Sequence, residues 1–126
     1  PEIDEAIKKA VTRGVQVNLL LETIDKKKGD HFYRGARRYL EDFTGVNVFQ
    51  WPAENRPQVG KNVASVHAKC AVADGRVAFV TSANLTEAAM DKNIELGLLF
   101  TDGPVPEKMS GHLLSLVDQN VIVPLG

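Results

Sequence analysis

The sequence is poor in cysteine, in net charge and in long apolar segments, and each shortage excludes a class of protein. Its one cysteine, Cys70, excludes an internal disulfide framework and suits a reducing compartment. No apolar run approaches the length of a membrane span and no signal-peptide pattern opens the chain, so we expect a cytoplasmic protein. A formal net charge of −1 supplies no electrostatic argument for a nucleic-acid partner.

Metal-binding and cofactor-binding patterns are missing as well. The histidines, His31, His67 and His112, are far apart in sequence, so we expect no metal site and no cofactor. A length of 126 residues suits one domain or somewhat less, and we expect residues 1–126 to form a single domain. Because the chain starts at Pro1, directly in a helical pattern, we also expect that a region upstream has been removed.

The first half of the chain alternates between helical and strand-like patterns. We predict a helix over residues 1–12, a buried strand over 15–21, a polar turn over 26–30, a second helix over 30–43 and a strand over 46–51. This alternation favours parallel pairing of the two strands in an α/β layer. Residues 52–62 contain Pro52, Pro57 and Gly60 and are typical of a surface loop.

The second half is richer in strands. We predict strands over residues 65–73 and 76–82, joined at Asp74-Gly75, which is a favoured hairpin turn. A short irregular or helical piece over 85–91 precedes a strand over 93–100, a helix over 107–119 and a last strand over 121–123. The predicted architecture is α/β, with a mixed β-sheet flanked by helices.

Strand alternation places two chemically active side chains together. In a strand over 65–73, His67 and Lys69 share one face, while small apolar residues such as Ala68 and Cys70 form the core face. Cys70 is therefore predicted to be a small buried hydrophobe. An imidazole beside an ammonium suits an anion such as phosphate lying between them.

The predicted strand over 93–100 carries a carboxylate, Glu95, on the face opposite Ile94 and Leu96. A carboxylate among apolar neighbours needs a partner, and a histidine N–H is a natural one. Ser82 and Asn84 close the preceding strand with two neutral hydrogen-bonding groups, which suit phosphate oxygens.

These residues form a pattern that resembles the HKD motif of the phospholipase D superfamily: H-x-K-x4-D, then S-x-N, then a glutamate. A chance H-x-K-x4-D in a chain of this length is on the order of a one-percent event, and the later residues at family offsets make coincidence rarer still. The sequence departs from the family at Thr81, where glycine is usual. The resemblance implies a phospholipase D-like half-domain that lacks its usual opening strand. The sequence around the motif is similar to the phospholipase D-like component of bacterial DISARM anti-phage systems.

The resemblance also implies a mechanism. Members of the family attack phosphorus with a histidine, form a phosphohistidine, and need no metal. Carried over to this chain, His67 is the nucleophile, Glu95 orients its ring, and Lys69 and Asn84 stabilise the charged oxygens. Ser82 supports the phosphate or the histidine, and Asp74, at the hairpin turn, has a structural role.

Family members use two histidines in each active site, and this chain carries only one such motif. We expect the second histidine to come either from a second copy in a homodimer or from an upstream half-domain. The leading hypothesis is a nuclease acting on DNA or RNA, in phage defence. The alternatives are a phospholipid phosphodiesterase or transphosphatidylase, and a nucleic-acid-binding module whose catalysis is incomplete.

Overall fold

A computed structural model describes residues 2–24, 37–38, 40–84 and 93–125 of the chain. In chain order, its elements are helix α1 (Glu2–Thr12), strands β1 (Val17–Leu20) and β2 (Val46–Gln50), a 3-10 turn (Ala53–Asn55), strands β3 (Gln58–Val59), β4 (Asn62–Val63), β5 (Cys70–Ala73), β6 (Val77–Thr81) and β7 (Gly97–Thr101), helix α2 (Pro104–Asp118) and strand β8 (Val123–Pro124). Residues 37–38 and 40–42 are also helical. The residues divide into two compact units, Pro1–His67 with Asn120–Gly126, and Ala68–Gln119.

The first unit is built on a mixed sheet in the order β1-β2-β8. The predicted parallel pairing of β1 with β2 is confirmed, and β8 runs antiparallel to β2. Val46 and Val48 alternate inward from β2 and pack with Phe43 and Leu125 in the buried core, while Asn47, between them, is exposed.

Helix α1 covers this core with partly buried apolar residues that include Ile7 and Val11. The chain enters β2 through Gly45, whose φ of +91° is a conformation that side chains rarely adopt. A Cβ atom there would lie 2.9 Å from Val11 Cγ1, so the close approach of the helix also requires a glycine.

The second unit is an antiparallel sheet in the order β5-β6-β7, with helix α2 packed against all three strands. Ala78, in the central strand, is completely buried. A hairpin with its turn at Asp74-Gly75 is confirmed, although Ala73 pairs with Val77, so the connection has three residues and not two. Asp74 and Gly75 have φ of +57° and +63°, and Arg76 N–H donates to Ala73 O at 3.0 Å. Positive φ at both central positions is what a type I′ turn requires, which explains the preference for Asp-Gly.

Two strands begin several residues later in the structure than the sequence predicted. The strand expected over 65–73 begins only at Cys70, and the strand expected over 93–100 begins only at Gly97. In both cases a side chain takes the place of a backbone partner: Val66 N–H donates to a carboxylate of Glu22, and Leu96 N–H donates to the hydroxyl of Ser82.

The predicted core face of the first strand is confirmed only within β5, where Cys70 and Val72 are half-buried and Ala71 is exposed. Ala68 is exposed and Cys70 only half-buried. For the second strand the predicted core face is wrong at its beginning: Ile94 and Leu96, which precede β7, and Leu98, near its start, are exposed to 103%, 79% and 61%.

Smaller differences concern the remaining elements. The loop predicted over 52–62 contains the 3-10 turn and the short antiparallel hairpin of β3 and β4. Helix α2 begins at Pro104, earlier than predicted, since proline is well suited to the first turn of a helix. The last strand, predicted over 121–123, is the pair Val123–Pro124. The predicted turn over 26–30, most of the helix over 30–43 and the piece over 85–91 lie outside the described residues.

Candidate active site

The backbone directly before His67 is held by a buried ion pair in the first unit. Glu22 follows β1, Arg56 follows the 3-10 turn, and the two side chains bond through both guanidinium nitrogens. Arg56 Nη2 lies 2.6 Å from Glu22 Oε1, and Nη1 lies 3.1 Å from Oε2. The Arg56 side chain is 1% exposed and the Glu22 side chain 15% exposed, so the pair is shielded from solvent. A bidentate pair of this kind fixes both the distance and the orientation of its partners.

The same two side chains bond to the backbone of residues 64–66. Glu22 Oε2 accepts a hydrogen bond from Val66 N–H at 2.8 Å, and Arg56 Nη1 donates to Ala64 O at 3.0 Å. Arg56 Nε also donates to Trp51 O at 2.7 Å, and its guanidinium lies 5.2 Å from the centre of the Trp51 ring. The segment that leads into His67 is therefore anchored on both sides without belonging to a strand.

The carboxylate of this pair is ionised at neutral pH. Burial raises the pKa of Glu22, but hydrogen bonds from Arg56, Ile24 N–H and Val66 N–H, with the charge of Arg56, more than offset that effect. The pKa of Glu22 is thus lowered overall. A negatively charged Glu22 is the form that accepts all of these hydrogen bonds.

In the second unit, Ser82 joins the end of β6 to the residues before β7. Its hydroxyl donates to Glu95 Oε2 and accepts a hydrogen bond from Leu96 N–H at 3.1 Å. Its own N–H donates to Leu96 O at 3.0 Å. One of these contacts is to Glu95 itself and two are to the next residue, so Ser82 holds Glu95 in a stretch without regular secondary structure.

Lys69 and Thr81 lie at the same end of this sheet. Thr81 N–H donates to Lys69 O at 3.0 Å, which extends the ladder one residue beyond β5, and Thr81 pairs with Gly97 in β7. Thr81 Oγ1 accepts a hydrogen bond from Ala83 N–H at 3.1 Å. The threonine that stands in place of the usual glycine therefore stabilises the turn that leads to Asn84.

The predicted site residues divide between the units. His67 is exposed and belongs to the first unit, and the second unit contains Lys69, which is half-buried, and Ser82, Asn84 and Glu95, which are exposed. Within the second unit, Ser82 and Glu95 are in contact, and the backbone of Lys69 is hydrogen-bonded to Thr81 on the neighbouring strand. Asp74 lies at the opposite end of the β5–β6 hairpin, in its turn, where the sequence predicted it.

Sequence reasoning missed Glu22 and Arg56. Glu22 ends an apolar run, and the argument that a carboxylate beside such a run needs a partner, which was applied to Glu95, applies to it equally. Arg56 stands in a polar, proline-containing loop, where an arginine is ordinarily solvated. No local pattern distinguishes it.

The neighbourhood of Ser82 is largely apolar. An open groove of about 320 Å³ is lined by Val80, Thr81, Ser82, Leu96, Gly97 and Leu98. Among the described residues there is no group of three or more histidine, cysteine, aspartate or glutamate side chains that could hold a metal ion. In the same part of the chain, no helix is long and apolar enough to cross a membrane.

Comparison with known proteins shows the family and the fold of the chain. A family model described as "Cardiolipin synthase, PLD-like domain" matches residues 1–117. Among solved structures, NucT from Helicobacter pylori is similar with a TM-score of 0.75 at 22% sequence identity, over 98% of this chain and 74% of that chain. At that identity the likeness concerns the fold, which both chains share. No match was found among the curated proteins.

Proposed function

The chain belongs to the phospholipase D superfamily, and from this membership we propose that it is a metal-independent phosphodiesterase whose nucleophile is His67. The observation that carries the proposal is the clustering of motif residues at one end of the antiparallel sheet. Lys69 directly precedes β5, Ser82 follows β6, and Glu95, before β7, is hydrogen-bonded to Ser82. Lys69 and Glu95 are 26 positions apart in sequence. The pairing of β5 with β6 and of β6 with β7 brings them to the same end of the sheet.

In the proposed reaction, a ring nitrogen of His67 attacks phosphorus, and the P–O bond to the leaving group breaks. A second histidine protonates the leaving oxygen, and the same residue then removes a proton from a water that attacks phosphorus, breaks the P–N bond to His67 and releases a phosphomonoester. Glu95 accepts the other ring N–H of His67 and so selects the reactive tautomer. Lys69 and Asn84 donate hydrogen bonds to the phosphoryl oxygens, where each donor contributes about 10²- to 10³-fold to the rate.

Ser82 takes a more specific role than a phosphate ligand. Its hydroxyl donates to Glu95 and accepts Leu96 N–H, so its single O–H donor, which a phosphate oxygen would need, is already used. We propose that Ser82 holds the Glu95 carboxylate in place and acts on His67 through it.

The second histidine comes from another half-domain, either a second copy related by two-fold symmetry or a region upstream. Exposed apolar side chains at Ile94, Leu96 and Leu98, on either side of Glu95, support a site that is completed by further protein. For the homodimer, light scattering would detect a dimer, and the specific activity would fall on dilution below its dissociation constant. Full activity from a strictly monomeric sample would exclude any requirement for a pair.

For the substrate, we propose DNA or RNA, in a nuclease that serves phage defence. The support is the similarity of the residues around the motif to the DISARM component, in particular 65–69, 81–86 and 93–97. Phospholipid is the second candidate, favoured by the apolar groove beside Ser82 and by the family description, which names cardiolipin synthase. A third reading, a module that binds nucleic acid without cleaving it, predicts binding with no turnover.

One experiment separates these substrates. The protein is incubated with DNA, RNA or phosphatidylcholine in EDTA, beside a His67→Ala control. Cleavage that survives EDTA but not the substitution supports the histidine mechanism and identifies the substrate. Cleavage that EDTA abolishes overturns that mechanism, and retention of nucleic acid by both proteins without product supports the binding module.

A further inference from the structure

The residues that lead into His67 depend on side chains for their backbone hydrogen bonds. Residues 64–66 belong to no strand, and their polar groups bond to Arg56 and Glu22. Beyond this pair, the nearest backbone support is Ala64 N–H, which donates to Pro57 O at 3.2 Å. The position of the peptide before His67 is therefore set by a carboxylate and a guanidinium from two other segments.

A buried ion pair is an expensive way to stabilise a fold, because both charges lose their hydration. Here the pair also satisfies five backbone groups that belong to three segments. These groups are Thr23 N–H, Ile24 N–H, Trp51 O, Ala64 O and Val66 N–H. An apolar replacement of equal volume would fill the space but leave these groups unpaired, so the charged pair specifies geometry that packing cannot.

We infer that Glu22 and Arg56 are positioning residues that fix the backbone at Val66 and thereby place the His67 imidazole for attack. The inference rests on the proposed function of His67. A displacement of about 1 Å at a nucleophile is enough to reduce a rate by roughly 10²-fold. Loss of either residue should therefore lower the rate of the chemical step more than it lowers substrate binding.

Glu22→Gln tests this with a minimal change of shape. Glu22 Oε1 accepts from Thr23 N–H, Ile24 N–H and Arg56, whereas Oε2 accepts from Val66 N–H and Arg56. An amide that keeps its oxygen at the Oε1 position presents an NH₂ group to Val66 N–H, which then has no acceptor. We expect kcat to fall by about 10- to 100-fold while KM changes less than about twofold.

Val48→Ala is the matched control. Val48 is buried in the core of the same unit, so its truncation lowers the melting temperature without touching residues 64–66. At a temperature well below both transitions, we expect its kcat to stay within about twofold of the unsubstituted protein. A structural role alone would make the two variants behave alike.

Amide hydrogen exchange and NMR of the His67 ring provide readouts that do not need turnover. Glu22→Gln should accelerate exchange at Val66 and shift the His67 ring signals, and Val48→Ala should do neither. Arg56→Lys, which keeps a positive charge but cannot bond Trp51 O and Ala64 O together, replaces Glu22→Gln if that variant does not fold.

The outcomes separate the inference from the proposed function. Unchanged exchange and ring signals in Glu22→Gln, or an unchanged kcat despite faster exchange, overturn the positioning role. If the unsubstituted protein cleaves no phosphodiester, the proposed function fails, and the exchange and ring-signal measurements alone then decide whether the pair places His67.

Discussion

The contact between Ser82 and Glu95 can be tested by mutation. The Ser82 hydroxyl either acts on His67 by holding Glu95 in place or binds the phosphate directly, and the two roles predict different kinetics. Ser82→Ala removes one donor to a carboxylate and one acceptor for Leu96 N–H. Both partners are exposed, so water replaces the lost bonds and the free energy of unfolding falls by only about 0.5–1.5 kcal/mol. The fold should remain intact.

The effect on rate should be larger than the effect on folding. A released Glu95 samples orientations that no longer meet a ring N–H, and we expect kcat to fall about tenfold, or about 1.4 kcal/mol of transition-state free energy. Glu95→Gln, which removes the carboxylate itself, should lower kcat by about 10- to 100-fold, as loss of such an orienting partner typically does.

A double-mutant cycle distinguishes the two roles of Ser82. If Ser82 acts through Glu95, Ser82→Ala combined with Glu95→Gln should lose no more than Glu95→Gln alone. If Ser82 binds phosphate directly, the two losses should multiply, to about 10²- to 10³-fold, and KM should rise. Steady-state kinetics on the substrate identified above would measure both quantities. Multiplicative losses would refute the role assigned to Ser82.

Ser115→Ala is the control for this substitution. Ser115 is a half-buried serine in α2 whose hydroxyl donates a hydrogen bond to His112 O at 2.6 Å, and it has no assigned role in the site. Its replacement by alanine should change neither kcat nor KM. A tenfold loss there would mean that the assay reports general destabilisation.

Three further predictions follow from the described residues. Lys69→Gln should reduce kcat/KM about 10²-fold, measured by initial rates, since an amide cannot supply positive charge to the phosphoryl group; retention of full activity would remove Lys69 from the site. Gly97→Ala should lower the melting temperature, because the new Cβ would lie 2.8 Å from the Phe79 ring. Gly111→Ala, in α2, should raise it slightly, because nothing lies within 4 Å of the new Cβ and alanine favours a helix. Equal effects of the two substitutions would contradict the packing at Gly97. The lowered pKa of Glu22 contributes stability that is complete above its ordinary value of 4.5 and is lost as pH falls below it through the folded-state pKa. Glu22→Gln should therefore flatten the acid limb of a melting-temperature profile below pH 4.5, and an identical profile would contradict the lowered pKa.

The parallel pairing of β1 with β2 and the turn at Asp74-Gly75 could be predicted because their causes are local. The first follows from alternating helix and strand patterns, and the second from two residues that tolerate positive φ. The strand ends could not be predicted, because side chains end them. Val66 N–H donates to Glu22, 44 positions earlier, and Leu96 N–H donates to Ser82, 14 positions earlier. In a longer strand, each N–H would donate to the backbone of a neighbouring strand instead.

The sequence by itself determined the family of this protein and the residues that resemble its motif. Histidine, lysine, asparagine and glutamate at set spacings specify a phosphodiesterase motif, because spacing along a hairpin is a local property. Only the tertiary structure decided what holds those groups. The buried pair of Arg56 with Glu22 joins residues 34 positions apart, and no periodicity connects them. Such partners are selected by the distance and burial that folding creates, and a linear pattern contains neither quantity.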